Sequence, residues 1–227
     1  MPALTGIRAC VFDAYGTVFD FASAAASCRD VLGEQAGALT ALWRDKQLQY
    51  TWLRSLQHRH ADLWQITGDS LDYALETLGF ADPALRQRLM DLYRTLAVFP
   101  EIPETLRRLR AAGIRTAILS NGSPAMLETA VAGNGIGALL DAVISVEEVG
   151  VFKPDPRVYQ RALERLGVTA AEVSFQSSNA WDAYAASAFG MRVVWCNRYA
   201  QKPERLPGQP DHMVTTLADL PGLVGAA

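Results

Sequence analysis

The chain has 227 residues, half of them hydrophobic and a fifth charged, with a formal net charge of -3. That is the composition of a soluble globular protein with one large domain or two smaller ones, and it leaves no basic face for nucleic acid or anionic lipid. No apolar run is long enough to cross a membrane.

Residues 1–8 lack a signal-peptide layout, because the basic residue follows the few apolar ones. Cys10, Cys28 and Cys196 are odd in number and far apart, so neither a disulfide framework nor a zinc site is expected. Together these features point to the cytoplasm.

The first element is an apolar strand over 9–12 that runs directly into Asp13, with a chain break at Gly16. Open α/β sheets place their active sites at such carboxyl ends. An aspartate there serves as a nucleophile, a metal ligand or a base, and this segment alone leaves all three open.

Residues 20–98 show helical patterns and no convincing strand. Leu39, Leu42, Trp43, Tyr50 and Leu53 follow helical spacing, and so do Leu71, Leu75 and Leu78. Pro83 suits a first helical turn with Asp82 as its cap. His58 and His60 are two apart on a predicted helix and so face different ways. They are read as solvated, and so is His212. Without a GxSxG elbow, a histidine triad is not expected. Phe99–Pro103 reads as a linker.

From residue 103 onward, strands predicted over 114–119, 142–145, 172–176 and 192–195 alternate with helical segments, the rhythm of a parallel sheet with crossover helices. Gly133-Asn134-Gly135-Ile136-Gly137 follows a helix and not a strand, so it reads as a loop and not as a dinucleotide site. The expected fold class is α/β, a doubly wound and mainly parallel core built from 1–19 and 99–227, with a helical cap over 20–98 lying across its carboxyl edge.

Four motifs stand at that edge: Phe12-Asp13-Ala14-Tyr15-Gly16-Thr17, Leu119-Ser120-Asn121-Gly122-Ser123-Pro124, Phe152-Lys153-Pro154-Asp155-Pro156-Arg157-Val158-Tyr159, and Ser177-Ser178-Asn179-Ala180-Trp181-Asp182. In this order and spacing the chain resembles the haloacid dehalogenase superfamily along its whole length. With Leu42-Trp43-Arg44 and Tyr50–Leu56, it resembles the L-2-haloacid dehalogenase branch in particular. The resemblance implies a doubly wound core with a helical cap and an active site between them. It also implies hydrolysis of L-2-haloalkanoic acids to D-2-hydroxyalkanoic acids and halide through an aspartyl ester. No cofactor or metal is implied, and a homodimer is.

The resemblance implies a role for each matching residue. Asp13 is the nucleophile, and its plainer reading is a turn cap. Thr17 fixes the Asp13 rotamer or is a simple turn residue. Ser120 holds the substrate carboxylate and Asn121 faces the halide, near a helix start with Ser123 as its cap and Pro124 at its first position. Arg44 assists halide departure from the cap, with Leu48 on the same helix face, while Tyr15 and Trp181 add aromatic walls. Lys153 pairs with Asp13, and Tyr159 contacts the carboxylate cluster. Ser177 and Asn179 position Asp13 and the water. Asp182 orients Lys153 and takes a proton from that water. Asn179 and Asp182 also have the spacing of a capping box.

A magnesium-dependent phosphatase of the same superfamily is the rival enzyme, and a non-catalytic binding module is the rival of another class. Tyr15 stands where such phosphatases carry a second aspartate, and Asn179 stands where they carry a metal-binding carboxylate, so magnesium is poorly served here. Two positions depart from the family pattern. Leu63 replaces an aromatic in the cap, and Gln176 replaces an apolar residue at a strand end.

Overall fold

The computed structural model describes residues 3–21 and 29–226. Cys28 lies outside these residues. Cys10 and Cys196 are buried free thiols, and burial pushes both thiols up, away from the reactive thiolate form.

Six parallel strands form one sheet in the order β3-β2-β1-β4-β5-β6. They are β1 (Ala9–Phe12), β2 (Arg115–Ser120), β3 (Ala142–Ser145), β4 (Val173–Ser177), β5 (Arg192–Cys196) and β6 (His212–Val214). β1 is the central strand and is fully buried, as expected for a parallel strand covered on both faces. The strand order reverses between β1 and β4. That is the switch point where open α/β sheets bind ligands.

The predicted strands fall where the sequence puts them, with β2 and β4 displaced by one residue toward their carboxyl ends. β6 has no counterpart among the predicted strands, because three residues show no readable period. It corrects the reading of His212, which is buried there and not solvated.

A short helical turn, α1 (Arg29–Leu32), leads into the long helix α2 (Ala36–Leu56), followed by α3 (Leu63–Thr77) and α4 (Pro83–Arg94). The buried stripe of α2 is Ala36, Leu39, Trp43, Gln47 and Thr51. Leu53, placed on that stripe by spacing, is instead 45% exposed. The stripe packs on α3, where the Trp43 indole N–H donates to the Thr67 carbonyl at 2.9 Å. Asp82 caps α4 as expected, accepting the Ala84 N–H at 2.8 Å, with Pro83 in the first turn. His58 and His60 lie beyond the end of α2, on a turn with positive φ at His58. His60 pairs with Glu147 of the sheet-bearing part at 3.0 Å.

The remaining helices are α5 (Ile102–Ala111), α6 (Pro124–Gly133), α7 (Pro156–Leu166), α8 (Ala180–Phe189) and the short α9 (Leu220–Leu223). The predicted linker 99–103 ends early, since Ile102 and Pro103 already belong to α5.

The chain leaves for the helical segment and returns from it side by side. Phe19 bridges Val98, and the Phe99 N–H donates to the Val18 carbonyl at 3.0 Å. Arg198 locks this crossing. Its guanidinium donates to the Thr17 carbonyl at 3.1 Å, pairs with Glu101 at 2.6 Å and lies 3.8 Å from the centre of the Phe99 ring.

Removing the guanidinium strands a largely buried Glu101. Arg198→Met is therefore expected to lower unfolding free energy by about 3 kcal/mol, most of it recovered by adding Glu101→Gln. Denaturant melts of the single and double variants measure this, and additive losses would contradict it.

Candidate active site

Asp13 leaves the end of β1 between the ends of β2 and β4, and a turn with φ +87° at Gly16 carries the chain away. Its side chain is 10% exposed. Oδ2 accepts from Thr17 Oγ1 at 3.1 Å, Ser177 Oγ at 3.2 Å and Asn179 Nδ2 at 2.7 Å. Among the described residues Oδ1 receives one side-chain bond, from Lys153 Nζ at 3.2 Å. One oxygen is thus tied by three donors while the other keeps lone-pair capacity. Thr17 also accepts the Ser178 N–H at 2.7 Å, which joins the β1 and β4 loops through the group that sets the Asp13 rotamer.

Lys153 is the charge around which the polar cluster is arranged. Its ammonium is buried and reaches Asp182 Oδ2 at 2.8 Å as well as Asp13. Burial works against the charge, but Asp13 and Asp182 outweigh it and hold the group above the ordinary lysine range. Tyr159 donates to Asp182 Oδ1 at 2.6 Å. Burial, with Asp182 adding to it, pushes the Tyr159 hydroxyl well up, so it stays a donor. Burial also pushes the Asp182 carboxyl up to about 6, against the pull of Lys153.

The position of Asp182 corrects the sequence reading in two ways. It forms no capping box, because the Asn179 amide is turned to Asp13 and to the Tyr15 carbonyl. It also lies behind Lys153, fully buried with both oxygens bonded, and is absent from the cavity wall. A direct contact with hydrolytic water does not fit that place. Thr17, Tyr159 and Ser177 likewise stand behind the Asp13 carboxylate, whereas the Lys153 ammonium reaches its open oxygen, Oδ1.

The wall itself brings together Asp13, Tyr15, Ser120, Asn121, Asn179 and Trp181 from the sheet edge. From the helical segment come Arg44, Gln47, Leu48, Thr51 and Leu63. Ser120 accepts the Gly122 N–H at 3.0 Å. Asn121 Oδ1 accepts the Lys153 N–H at 3.0 Å, which sets the amide nitrogen on the opposite side. Ser123 occupies the cap position of α6, but its side chain makes no cap bond. Gly122 packs closely under Tyr15, since a Cβ there would lie 3.0 Å from the Tyr15 ring and would force it or Leu127 to shift.

Arg44 donates to Gln47 Oε1 at 2.7 Å and to Asn179 Oδ1 at 3.2 Å. Its guanidinium is thereby held over the carboxylate cluster from the opposite side. Gln47 in turn donates to Thr67 Oγ1 at 2.7 Å and to Tyr93 Oη at 3.2 Å, and Tyr93 stacks on Tyr15 at 5.3 Å.

Sequence reasoning missed Gln47 and Thr51. The signal was present, because they lie one turn apart and one turn on from Trp43 and Gln47, and polar residues on a buried stripe call for a partner. The two positions that depart from the family pattern also have places. Leu63 is in the wall. Gln176 is buried at the end of β4, where its amide donates to Ser174 and its backbone carbonyl receives the Asp13 N–H.

The family model for haloacid dehalogenase-like hydrolases matches residues 7–190. The chain is 45% identical to (S)-2-haloacid dehalogenase 4A of Burkholderia cepacia over 94% of its own length and 93% of the relative's. It is 46% identical to (S)-2-haloacid dehalogenase 1 of Pseudomonas sp. strain CBS-3 over 96% of each chain. Among solved structures it superposes on the L-2-haloacid dehalogenase of Xanthobacter autotrophicus with chloropropionic acid covalently bound, with a TM-score of 0.89 and 39% identity over 96% of this chain and 98% of that one. A dehalogenase with an intermediate complex gives a TM-score of 0.94 and 43% identity over 97% and 98%.

The raised Asp182 carboxyl sets a pH dependence. Below about pH 6 it is protonated and no longer an anion that holds the Lys153 ammonium. Turnover is expected to fall on the acid side with an apparent pKa near that value, and Asp182→Asn should cost about 100-fold or more and lose that limb. A pH profile of kcat/KM checks this, and a flat profile down to pH 4.5 would contradict it.

Proposed function

The chain belongs to the haloacid dehalogenase-like hydrolases, and from that membership we propose that it is an (S)-2-haloacid dehalogenase. It converts L-2-haloalkanoic acids to D-2-hydroxyalkanoic acids and halide through an aspartyl-ester intermediate. The observation that carries the reading is the Asp13 carboxylate, clamped through one oxygen and held on the other by an ammonium.

In the first step Asp13 Oδ1 attacks C2 of the substrate in line with the carbon–halogen bond. The C–O bond forms as the C–X bond breaks, and halide leaves with the bonding pair. Ser120 and the N–H groups after β2 hold the substrate carboxylate. Arg44, the Asn121 amide and the apolar wall from Leu48 and Leu63 receive the halide, and Trp181 closes another side of the cavity. Backside attack inverts C2.

In the second step water adds at the Asp13 carboxyl carbon, and the product leaves with its own C2–O bond intact. The developing oxyanion is Oδ2, which Thr17, Ser177 and Asn179 stabilise. The water's proton passes to Lys153 as Lys153 gives one to Asp182, which Tyr159 holds in place. As the bond from the carboxyl carbon to Oδ1 breaks, Lys153 gives a proton to Oδ1, which leaves as the product hydroxyl, and takes one back from Asp182. The re-formed Asp13 acid loses its proton to solvent. This relay fits the position of Asp182 behind the lysine.

The donor set supports a metal-independent reaction. Asn179 is a neutral amide whose Nδ2 donates to Asp13 Oδ2 and to the Tyr15 carbonyl, where a magnesium site would call for a further anionic oxygen. An amide N–H donor cannot share that place with a cation. Among the described residues no group of three or more His, Cys, Asp or Glu side chains is arranged to hold a metal ion. The same observation leaves the phosphatase reading without support.

Residues 20–98 act as the cap that carries Arg44 and Leu63 to the site. A homodimer fits the exposed Leu53 and Leu56 on α2. Among the described residues no helix is long and apolar enough to cross a membrane, which fits work in the cytoplasm.

With excess chelator present, chloride release is expected from L-2-chloropropionate and not from the D-isomer, and Asp13→Asn should slow it at least about 1000-fold. Release from both isomers, or loss of turnover on chelation, would contradict the reading.

A further inference from the structure

The cavity bounded by Asp13, Arg44 and Trp181 has a volume of about 20 Å³, room for about one water molecule. Any substrate must displace part of its wall, and a substrate with a longer carbon chain must extend into a neighbouring void. Two voids adjoin the cavity. One, of about 390 Å³, lies beyond Tyr15, Arg44 and Asn179 and is bordered by Thr40, Asp45, Ser178 and Gln201. Phe21, Ala41 and Tyr199 also border it, but an alkyl chain there would desolvate Arg44, Asp45 and the amides of Asn179 and Gln201.

The other void, of about 640 Å³, shares Trp181 with the cavity and is lined by Trp52, Ala185, Ala188, Phe189, Leu206 and prolines. Its lining is predominantly apolar, and Tyr159, which also borders it, has its hydroxyl bonded to Asp182. Trp181 is therefore a partition between the catalytic cavity and an apolar pocket. It meets Trp52 edge to face at 5.5 Å, and neither indole N–H has a hydrogen-bond partner. Swinging either ring breaks no hydrogen bond.

Resting on the dehalogenase reading above, we propose that this outer pocket is the subsite for the alkyl tail of longer 2-haloalkanoic acids, reached past Trp181. With the carboxylate at Ser120 and the halide at Arg44, the tail is the apolar substituent on C2, and the Trp181 side offers it apolar surface to bury.

Ala185 lies one turn beyond Trp181 on α8 and borders the outer pocket without lining the catalytic cavity. Ala185→Phe fills the pocket, and Ala188→Phe is a second filler from the same helix. Halide release is to be measured for L-2-bromopropionate, L-2-bromohexanoate and L-2-bromooctanoate. Both fillers are expected to keep kcat/KM for bromopropionate within about twofold and to lower it for the longer acids by about tenfold or more. Octanoate, which has no halogen to lose, should inhibit bromopropionate turnover by wild type more strongly than propionate does, and lose that advantage in Ala185→Phe.

A normal bromopropionate rate with long-chain rates and octanoate inhibition unmoved by either filler would overturn the subsite alone. Equal losses on short and long acids in folded variants would also overturn it. Absence of bromopropionate turnover by wild type would instead remove the dehalogenase reading and the subsite with it.

Discussion

A lysine ammonium buried between two carboxylates is the constraint from which the rest of this site follows. Lys153 reaches Asp13 at 3.2 Å and Asp182 at 2.8 Å with its side chain 1% exposed. An unpaired charge at that depth would cost several kcal/mol, so each member must be placed where the others need it. Tyr159 and Lys153 satisfy Asp182, while Thr17, Ser177 and Asn179 satisfy one edge of Asp13. Even the lysine backbone is fixed, by Asn121. These residues come from four strand ends and loops that only the parallel sheet brings together, and the reversal of strand order beside β1 leaves the crevice in which they meet.

The same arrangement explains why the helical segment belongs to the site. An anionic cluster with a single buried cation still carries excess negative charge. Arg44 of α2 offsets part of it from the far side through Asn179, and Gln47, Thr67 and Tyr93 hold the guanidinium at its post. That polar chain threads the middle of an otherwise apolar helix pair, where a wrong orientation would leave buried groups unsatisfied. Arg198 does the corresponding work at the crossing, since it grips the carbonyl of Thr17, whose hydroxyl orients Asp13.

Much of this was legible in the sequence, for identifiable reasons. Apolar runs that end in Asp13, Ser120 and Ser177 announce strands and their carboxyl edge, and five of the six strands were read to within a residue. The residues clustered around Asp13 stand in four short motifs whose local context is fixed by the turns after those strands. What escaped was set by contacts distant in sequence. Gln47 and Thr51 gain meaning only when α2 meets α3. His212 is buried only because β5 has an open edge for three residues to join. Asp182 has a spacing that mimics a capping box, and only Lys153, 29 residues away, reveals that its carboxylate is turned inward.

The central claim is that Asp13 is the atom source for the new bond at C2, and it is tested most directly by a single turnover in heavy-oxygen water with enzyme in excess over L-2-chloropropionate. The account predicts that the heavy oxygen appears in the Asp13 carboxylate, read by mass spectrometry of the peptide that contains it, and that the hydroxy acid from this first turnover carries none. Heavy oxygen in that first product, with Asp13 unlabelled, would mean that water attacks the substrate itself and would contradict the account.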